Sequence, residues 1–200
     1  MIPNQNCKII LASQSPRRKQ LLAGLDVDFE VMLIDGIEEN FPDDMRHQDI
    51  PEYLARQKSE AYIDELQKEK CILITADTIV LCNNQVIGKP ATREEAYQML
   101  SLLANNKHEV ITGVCLRTAE SITSFSASSY VWFGKLTHEE ILYYLDHYKP
   151  YDKAGSYGIQ EWIGYVAIER IEGSFYNVMG LPVHRLYEEL KKLIITCNNS

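Results

Sequence analysis

Residues 71–76, Cys-Ile-Leu-Ile-Thr-Ala, form a nearly unbroken apolar run that halts at Asp77-Thr78, and no other feature limits the possible folds as much. A strand with no polar face must be covered on both sides, so this run predicts the central strand of a sheet with other elements packed over it. Residues 8–12 read as a second, shorter buried strand and residues 29–34 as a third. Between the first two of these, Ser15-Pro16 supplies a helix cap followed by proline at the first helical position. Leu21, Leu22 and Leu25 give that helix its apolar stripe. A longer helix is expected over 51–68, with Leu54, Ala61 and Leu66 turned inward.

After Asp77-Thr78 the chain continues through apolar residues 79–81, a polar turn at Asn83-Asn84, and residues 86–87. Thr92 with Glu95 and Thr137 with Glu140 have capping-box spacing. The helices they open carry Ala96, Leu100 and Leu103 in one case and residues 141–147 in the other. Residues 109–118 and 123–133 resemble paired long strands, and the short connection near Glu120-Ser121 predicts antiparallel pairing. Residues 163–171 look strand-like. A closing helix is expected over 182–193, with a polar tail at 196–200.

Alternating strands and helices favour the α/β class, while the long middle hairpin makes the sheet mixed and partly antiparallel. No linker, repeat or low-complexity segment divides the chain. The expectation is one domain over 1–195, with a twisted sheet, flanking helices and two lobes. No run approaches the roughly 18 apolar residues needed to span a bilayer. The start of the chain also lacks the charged segment, apolar core and cleavage site of a leader. A cytoplasmic protein that does not engage membranes is the expectation.

Charge narrows the partners. The chain has 20 Lys and Arg against 28 Asp and Glu, a formal net charge of -8. Binding polymeric nucleic acid through a broad basic surface is therefore not expected, because that mode neutralises many phosphates. A small polyanion such as a nucleotide remains open, since a few local cations can outweigh a distant field. The five cysteines are widely spaced without a CxxC pair, and Cys71 and Cys115 read as small core residues. The scattered histidines form no HExxH or Cys/His cluster, which argues against zinc.

Several segments carry candidate chemistry. Ser13-Gln14-Ser15-Pro16-Arg17-Arg18 places a helix start beside two guanidinium groups, an arrangement that suits phosphate or simply a capped surface helix. Within it, Arg18 is the residue expected to face solvent. Asp77 is expected at a strand end, where a carboxylate either caps the strand or binds a metal or water. Glu38-Glu39 offer further carboxylates in an acidic loop. Lys58 borders the apolar face of its helix, and Lys89 sits in Gly88-Lys89-Pro90, a turn fixed by glycine and proline. Both are candidate phosphate cations, with snorkelling and a surface turn as the plainer readings. In 151–160 two glycines allow close backbone approach, and Gln160 can offer a base both a donor and an acceptor. No P-loop and no GxGxxG fingerprint is present.

Taken in order, Leu11-Ala12-Ser13-Gln14-Ser15-Pro16-Arg17-Arg18, Ala76-Asp77-Thr78, Gly88-Lys89-Pro90, His108-Glu109-Val110 with Thr112-Gly113, the 151–160 loop and the 173–182 segment resemble the Maf family of nucleoside triphosphate pyrophosphatases. That family is related in fold to the inosine triphosphate pyrophosphatases. The resemblance implies a cleft between two lobes and metal-dependent hydrolysis, with Mg²⁺ or Mn²⁺, between the α and β phosphates of a nucleotide. It makes Asp77 the proton acceptor, Glu39 and Asp77 the metal-facing carboxylates, and Lys58 and Lys89 the phosphate cations. Ser13, Arg17, Thr78, Lys153 and Gln160 become substrate-binding residues. Arg17, Thr78 and Gln160 resemble the branch that prefers dTTP and UTP. Family resemblance also suggests a homodimer. The alternative is a nucleotide-binding regulatory protein of septum formation or cell division with little catalysis. Two positions depart from the family pattern: Glu38 where aspartate is usual, and Glu161 where glycine is common.

Overall fold

The computed structural model describes residues 7–199. Residues 1–6, which bear on the expected absence of a leader, and Ser200 of the expected tail lie outside them. The described strands are β1 (Lys8–Leu11), β2 (Glu30–Val31), β3 (Cys71–Cys82), β4 (Gln85–Ile87), β5 (Lys107–Arg117), β6 (Ile122–Phe133) and β7 (Ile168–Glu172). The helices are α1 (Pro16–Ala23), α2 (Ile50–Glu60), α3 (Ile63–Leu66), α4 (Arg93–Leu103), α5 (His138–Tyr148), α6 (Trp162–Ala167), α7 (Phe175–Met179) and α8 (Val183–Asn199).

The sheet order is β2-β1-β3-β5-β6-β7, with β4 paired to β3. β1 runs parallel to both β2 and β3, whereas β3–β4 and β6–β7 are antiparallel. The sheet is therefore mixed, as the alternation and the hairpin predict. The turn between β5 and β6 is closed by the Thr118 N–H donating to Ser121 O at 2.9 Å.

By internal contacts the chain forms two compact units. One comprises residues through Asp77, Thr112–Ala127 and Gly180 onward; the other comprises Thr78–Ile111 and Ser128–Met179. In the first unit, Ile9, Ile10 and Leu11 of β1 and Ile72, Leu73 and Ile74 of β3 are almost completely buried. Helix α2 docks where Thr75 donates its hydroxyl to Ala55 O at 2.6 Å. Gly113 makes this approach possible, because a Cβ there would lie 2.2 Å from the Glu52 nitrogen. In the second unit, Ala96, Leu100 and Leu103 of α4 and Ile141, Tyr144 and Leu145 of α5 are buried. Both expected helix starts are capped by their threonines, and Thr137 with Glu140 completes the reciprocal capping box.

Five expectations change. Asp77 lies inside the continuous strand β3, not at a strand end. The expected 51–68 helix divides into α2 and α3 because Tyr62 leaves helical geometry and turns inward. Its hydroxyl donates to Met32 O at 3.2 Å and accepts the Ile34 N–H at 3.1 Å. These bonds hold the chain just after β2, where the expected strand over 29–34 shortens to two residues.

The 163–171 segment begins as helix α6 before becoming β7. Ile163 and Ala167 are buried four residues apart while Tyr165 is 83% exposed, a helical periodicity. Helix α8 runs to Asn199, past the expected end, because Leu186, Leu190, Ile194 and Cys197 continue one buried stripe.

All five cysteines are buried and unpaired. Burial pushes the Cys71, Cys82 and Cys115 thiols up, and Cys7 to about 11 with Cys197 nearby as a lesser cause, so they behave as small core residues. Among the described residues, no helix is long and apolar enough to cross a membrane.

Candidate active site

In the first unit the loop after β1 enters α1 with Ser15 as its cap; the Ser15 hydroxyl accepts the Arg18 N–H, and Pro16 opens the helix. Ser13 Oγ accepts the Ser15 N–H at 3.2 Å, which fixes this serine beside the helix start. Arg17 is half-buried at the same end of α1. Arg18 does not face solvent. Its Nε donates to Gly180 O at 2.9 Å and its Nη1 to Ala76 O at 2.8 Å. Burial holds its guanidinium below the ordinary arginine range, although neighbouring Asp77 opposes that shift. The planar fork joins two carbonyls that a shorter or rounder cation could not span together.

Lys58 projects from α2 to Asp77 on β3. Its Nζ lies 2.6 Å from Asp77 Oδ1 and 3.1 Å from Glu39 Oε2. The Lys58 and Asp77 side chains are 16% and 13% exposed, whereas Glu39 is 51% exposed. One ammonium thus gathers a buried carboxylate and a more accessible one. The acidic loop is held near α2 by Gln57 Nε2, which donates to Asn40 O at 3.2 Å. Glu38 is engaged elsewhere, accepting from Asn40 Nδ2 at 3.1 Å. Of the two carboxylates, Glu39 makes the contact with Lys58.

Among the described residues no group of three or more His, Cys, Asp or Glu side chains could enclose a metal ion. Glu39 and Asp77 both meet the Lys58 ammonium, and each has a second carboxylate oxygen that could serve Mg²⁺ or Mn²⁺, which binds through one or two protein carboxylates together with substrate phosphates. The hard oxygen donors of Glu39 and Asp77 match that use.

The second unit holds the other sequence-predicted residues. Thr78 follows Asp77 directly in β3 and is half-buried. Lys89 is exposed just beyond β4. Its segment is tied to the 151–160 loop, where Gly155 N–H donates to Gly88 O at 3.0 Å. Gly88 itself has open space around it, so the turn does not require glycine as the sequence suggested.

Lys153 is buried, with its ammonium 2.7 Å from Asp152 Oδ1 and 3.1 Å from Glu161 Oε1. Its charge is thus matched within the loop. Gln160 is half-buried, and its Oε1 is a buried acceptor without a hydrogen-bond partner among the described residues. Such an atom is costly to leave unmatched unless a ligand supplies a donor.

Sequence reasoning missed the two-carbonyl anchorage of Arg18 and the contacts of Glu161 and Tyr144. The one available signal was Tyr144, three residues after Ile141 on the inward stripe of α5. A phenol buried there needs a polar partner.

The sequence profile described as Maf-like protein matches residues 8–193. The chain is 60% identical over 184 residues to the dTTP/UTP pyrophosphatase of Parabacteroides distasonis, covering 92% of this chain and 95% of that protein. It is 56% identical to the dTTP/UTP pyrophosphatase of Porphyromonas gingivalis strain W83, with 92% and 93% covered. The corresponding protein of Bacteroides thetaiotaomicron is 53% identical, with 93% and 96% covered. A solved HAM1 protein from Coxiella burnetii shares 14% identity at a TM-score of 0.47, covering 93% of this chain and 99% of that one. With a profile spanning nearly the whole chain and relatives above half identity, the protein belongs to the Maf family.

Proposed function

We propose that this protein hydrolyses dTTP and UTP at the α–β phosphate bond, giving the nucleoside monophosphate and pyrophosphate. The observation that carries the reading is Lys58 between Asp77 and Glu39, in a chain whose relatives are named dTTP/UTP pyrophosphatases. Water adds to phosphorus, the bond to the bridging oxygen breaks, and pyrophosphate leaves. Asp77 accepts the proton of the attacking water through the carboxylate oxygen that Lys58 does not contact. Lys58 orients that carboxylate, and its charge favours the negative charge spread over the phosphoryl oxygens. Lys89 is assigned a phosphate contact from its likeness to the family motif alone. Ser13 and Arg17 hold the phosphate end beside the α1 N-terminus. A divalent cation, Mg²⁺ or Mn²⁺, held by Glu39 and Asp77 would neutralise phosphate charge and polarise the reacting centre.

Gln160 reads the base. Its unmatched acceptor suits the imide N–H shared by uracil and thymine, which the cytosine ring nitrogen lacks. Thr78 is assigned a lesser polar contact, and Lys153 joins the substrate-binding set through the loop that it holds. The same reading gives one Maf-like domain over 1–195, residence in the cytoplasm and action as a homodimer on free nucleotides rather than on polymeric nucleic acid.

The decisive experiment supplies purified protein and Mg²⁺ or Mn²⁺ with a nucleotide panel and identifies the products. Monophosphate and pyrophosphate from dTTP and UTP are expected. Orthophosphate with a diphosphate would indicate a different bond, and binding without turnover would favour the regulatory alternative in cell division.

A further inference from the structure

The second unit contains a closed chain of contacts around the base-reading glutamine. Tyr144 of α5 is fully buried, yet its hydroxyl has two partners. It accepts the Gly158 N–H at 3.0 Å and donates to Glu161 Oε2. The other oxygen of the same carboxylate meets Lys153. Between the tethered residues 158 and 161, the Glu161 N–H donates back to Gly158 O at 3.0 Å, closing a tight turn. Gln160 lies inside that turn.

The side chains also fold back onto its start. A Cβ at Gly158 would sit 2.9 Å from Gln160 Nε2 and 2.8 Å from Glu161 Cδ. Glu161 occupies the cap position of α6, but its side chain makes no cap hydrogen bond. Its carboxylate is directed to Tyr144 and Lys153 instead. Burial and the adjacent carboxylate push the Tyr144 phenol well above its ordinary range, so it remains a donor across working pH.

We propose that Glu161 is a positioning residue for base recognition: with Tyr144 it clamps the 158–161 turn at both ends and thereby aims the Gln160 amide. The inference rests on Gln160 being the residue that meets the base. Lys153 supplies the cation that keeps Glu161 in place, which gives its buried ammonium a purpose without phosphate contact. A side-chain amide held by one turn loses directionality when that turn loosens. Recognition of a buried polar edge then weakens, while the phosphate chemistry remains.

The test compares Gln160→Ala, Tyr144→Phe, Glu161→Ala, Glu161→Gln and the double variant Gln160→Ala/Tyr144→Phe. The readout is the ratio of kcat/KM for UTP over CTP, with KM and kcat resolved separately. Gln160→Ala should collapse the ratio about tenfold or more. Tyr144→Phe and Glu161→Ala should each lower it about fivefold, mainly through a higher KM for UTP, the scale of one misdirected hydrogen bond. Glu161→Gln can still accept from Tyr144 and should keep most of the ratio. The double variant should be no worse than Gln160→Ala alone.

If Gln160→Ala collapses the ratio while the clamp variants leave it unchanged, Glu161 has no positioning role and the Gln160 reading stands. Clamp effects that add to Gln160→Ala in the double variant would equally overturn the proposal. An unchanged ratio in Gln160→Ala removes the base-reading assignment itself, and the proposal with it. Should Tyr144→Phe fail to fold, Glu161→Ala against Glu161→Gln carries the same decision.

Discussion

The Lys58 ammonium lies 2.6 Å from Asp77 Oδ1, and both side chains are largely withdrawn from water. A buried ion pair is weak evidence for stability alone, because desolvation offsets much of its attraction. Here a second carboxylate, Glu39, meets the same ammonium from a more accessible position. The proposed chemistry rests on this cluster, which keeps carboxylate oxygens and a cation together.

Replacing Asp77 with asparagine preserves size and most hydrogen bonding but removes the proposed proton acceptor and one negative charge. We expect turnover on dTTP and UTP to fall on the order of 10²-fold or more, with the thermal midpoint and nucleotide binding little changed. Steady-state kinetics at saturating metal, unfolding scans and binding measurements check this together. Near-normal turnover in a folded Asp77→Asn protein would remove Asp77 as the base.

Chelation should be as damaging as that substitution if Glu39 and Asp77 serve a divalent ion. Activity measured after exhaustive dialysis against EDTA should fall at least about 10²-fold and return with added Mg²⁺ or Mn²⁺. Full activity without any divalent ion would exclude the metal role.

Arg18 tests the scaffold rather than the chemistry. Losing its bonds to Gly180 O and Ala76 O should cost about 2–3 kcal/mol in urea unfolding for Arg18→Ala. Arg18→Lys should recover less than half, because an ammonium does not reproduce the planar fork. A cost below about 0.5 kcal/mol, the range of surface substitutions, would show that Arg18 behaves as a surface residue.

His108 gives a pH signature. It is buried, hydrogen-bonded through Nε2 to the Tyr157 hydroxyl at 2.8 Å, and packed edge-on against Phe133. Burial pushes its imidazole down from 6.5 to about 4. The unfolded chain therefore takes up a proton between those values that the folded chain refuses. Stability from this site is complete above pH 6.5, rises with pH across the window and is lost as pH falls through it, by about 2 kcal/mol at pH 5. Unfolding of the native protein and His108→Phe should be compared at pH 7 and pH 5. The ring substitution should flatten that part of the profile, and an equal pH dependence in both proteins would count against the assignment.

What the sequence by itself determined was local and periodic. The unbroken apolar run before Asp77 required a covered strand, and the short connection near Glu120-Ser121 required a hairpin. Ser15, Thr92 and Thr137 set helix starts because capping depends on residues three positions apart. The ordered motifs also identified the family and marked Asp77 and Gln160, with Lys58 beside the apolar face of its helix, as candidate site residues. Only tertiary structure decided which charges meet. Lys58 and Asp77 are joined across helix and strand, Arg18 is drawn inward by carbonyls from distant segments, and Tyr62 breaks a helix to hold the chain after β2. Glu161 meets Lys153 with one carboxylate oxygen and Tyr144 with the other. Such pairings depend on distance in space and on the cost of leaving a buried polar group unmatched, and neither is written in the spacing of neighbouring residues.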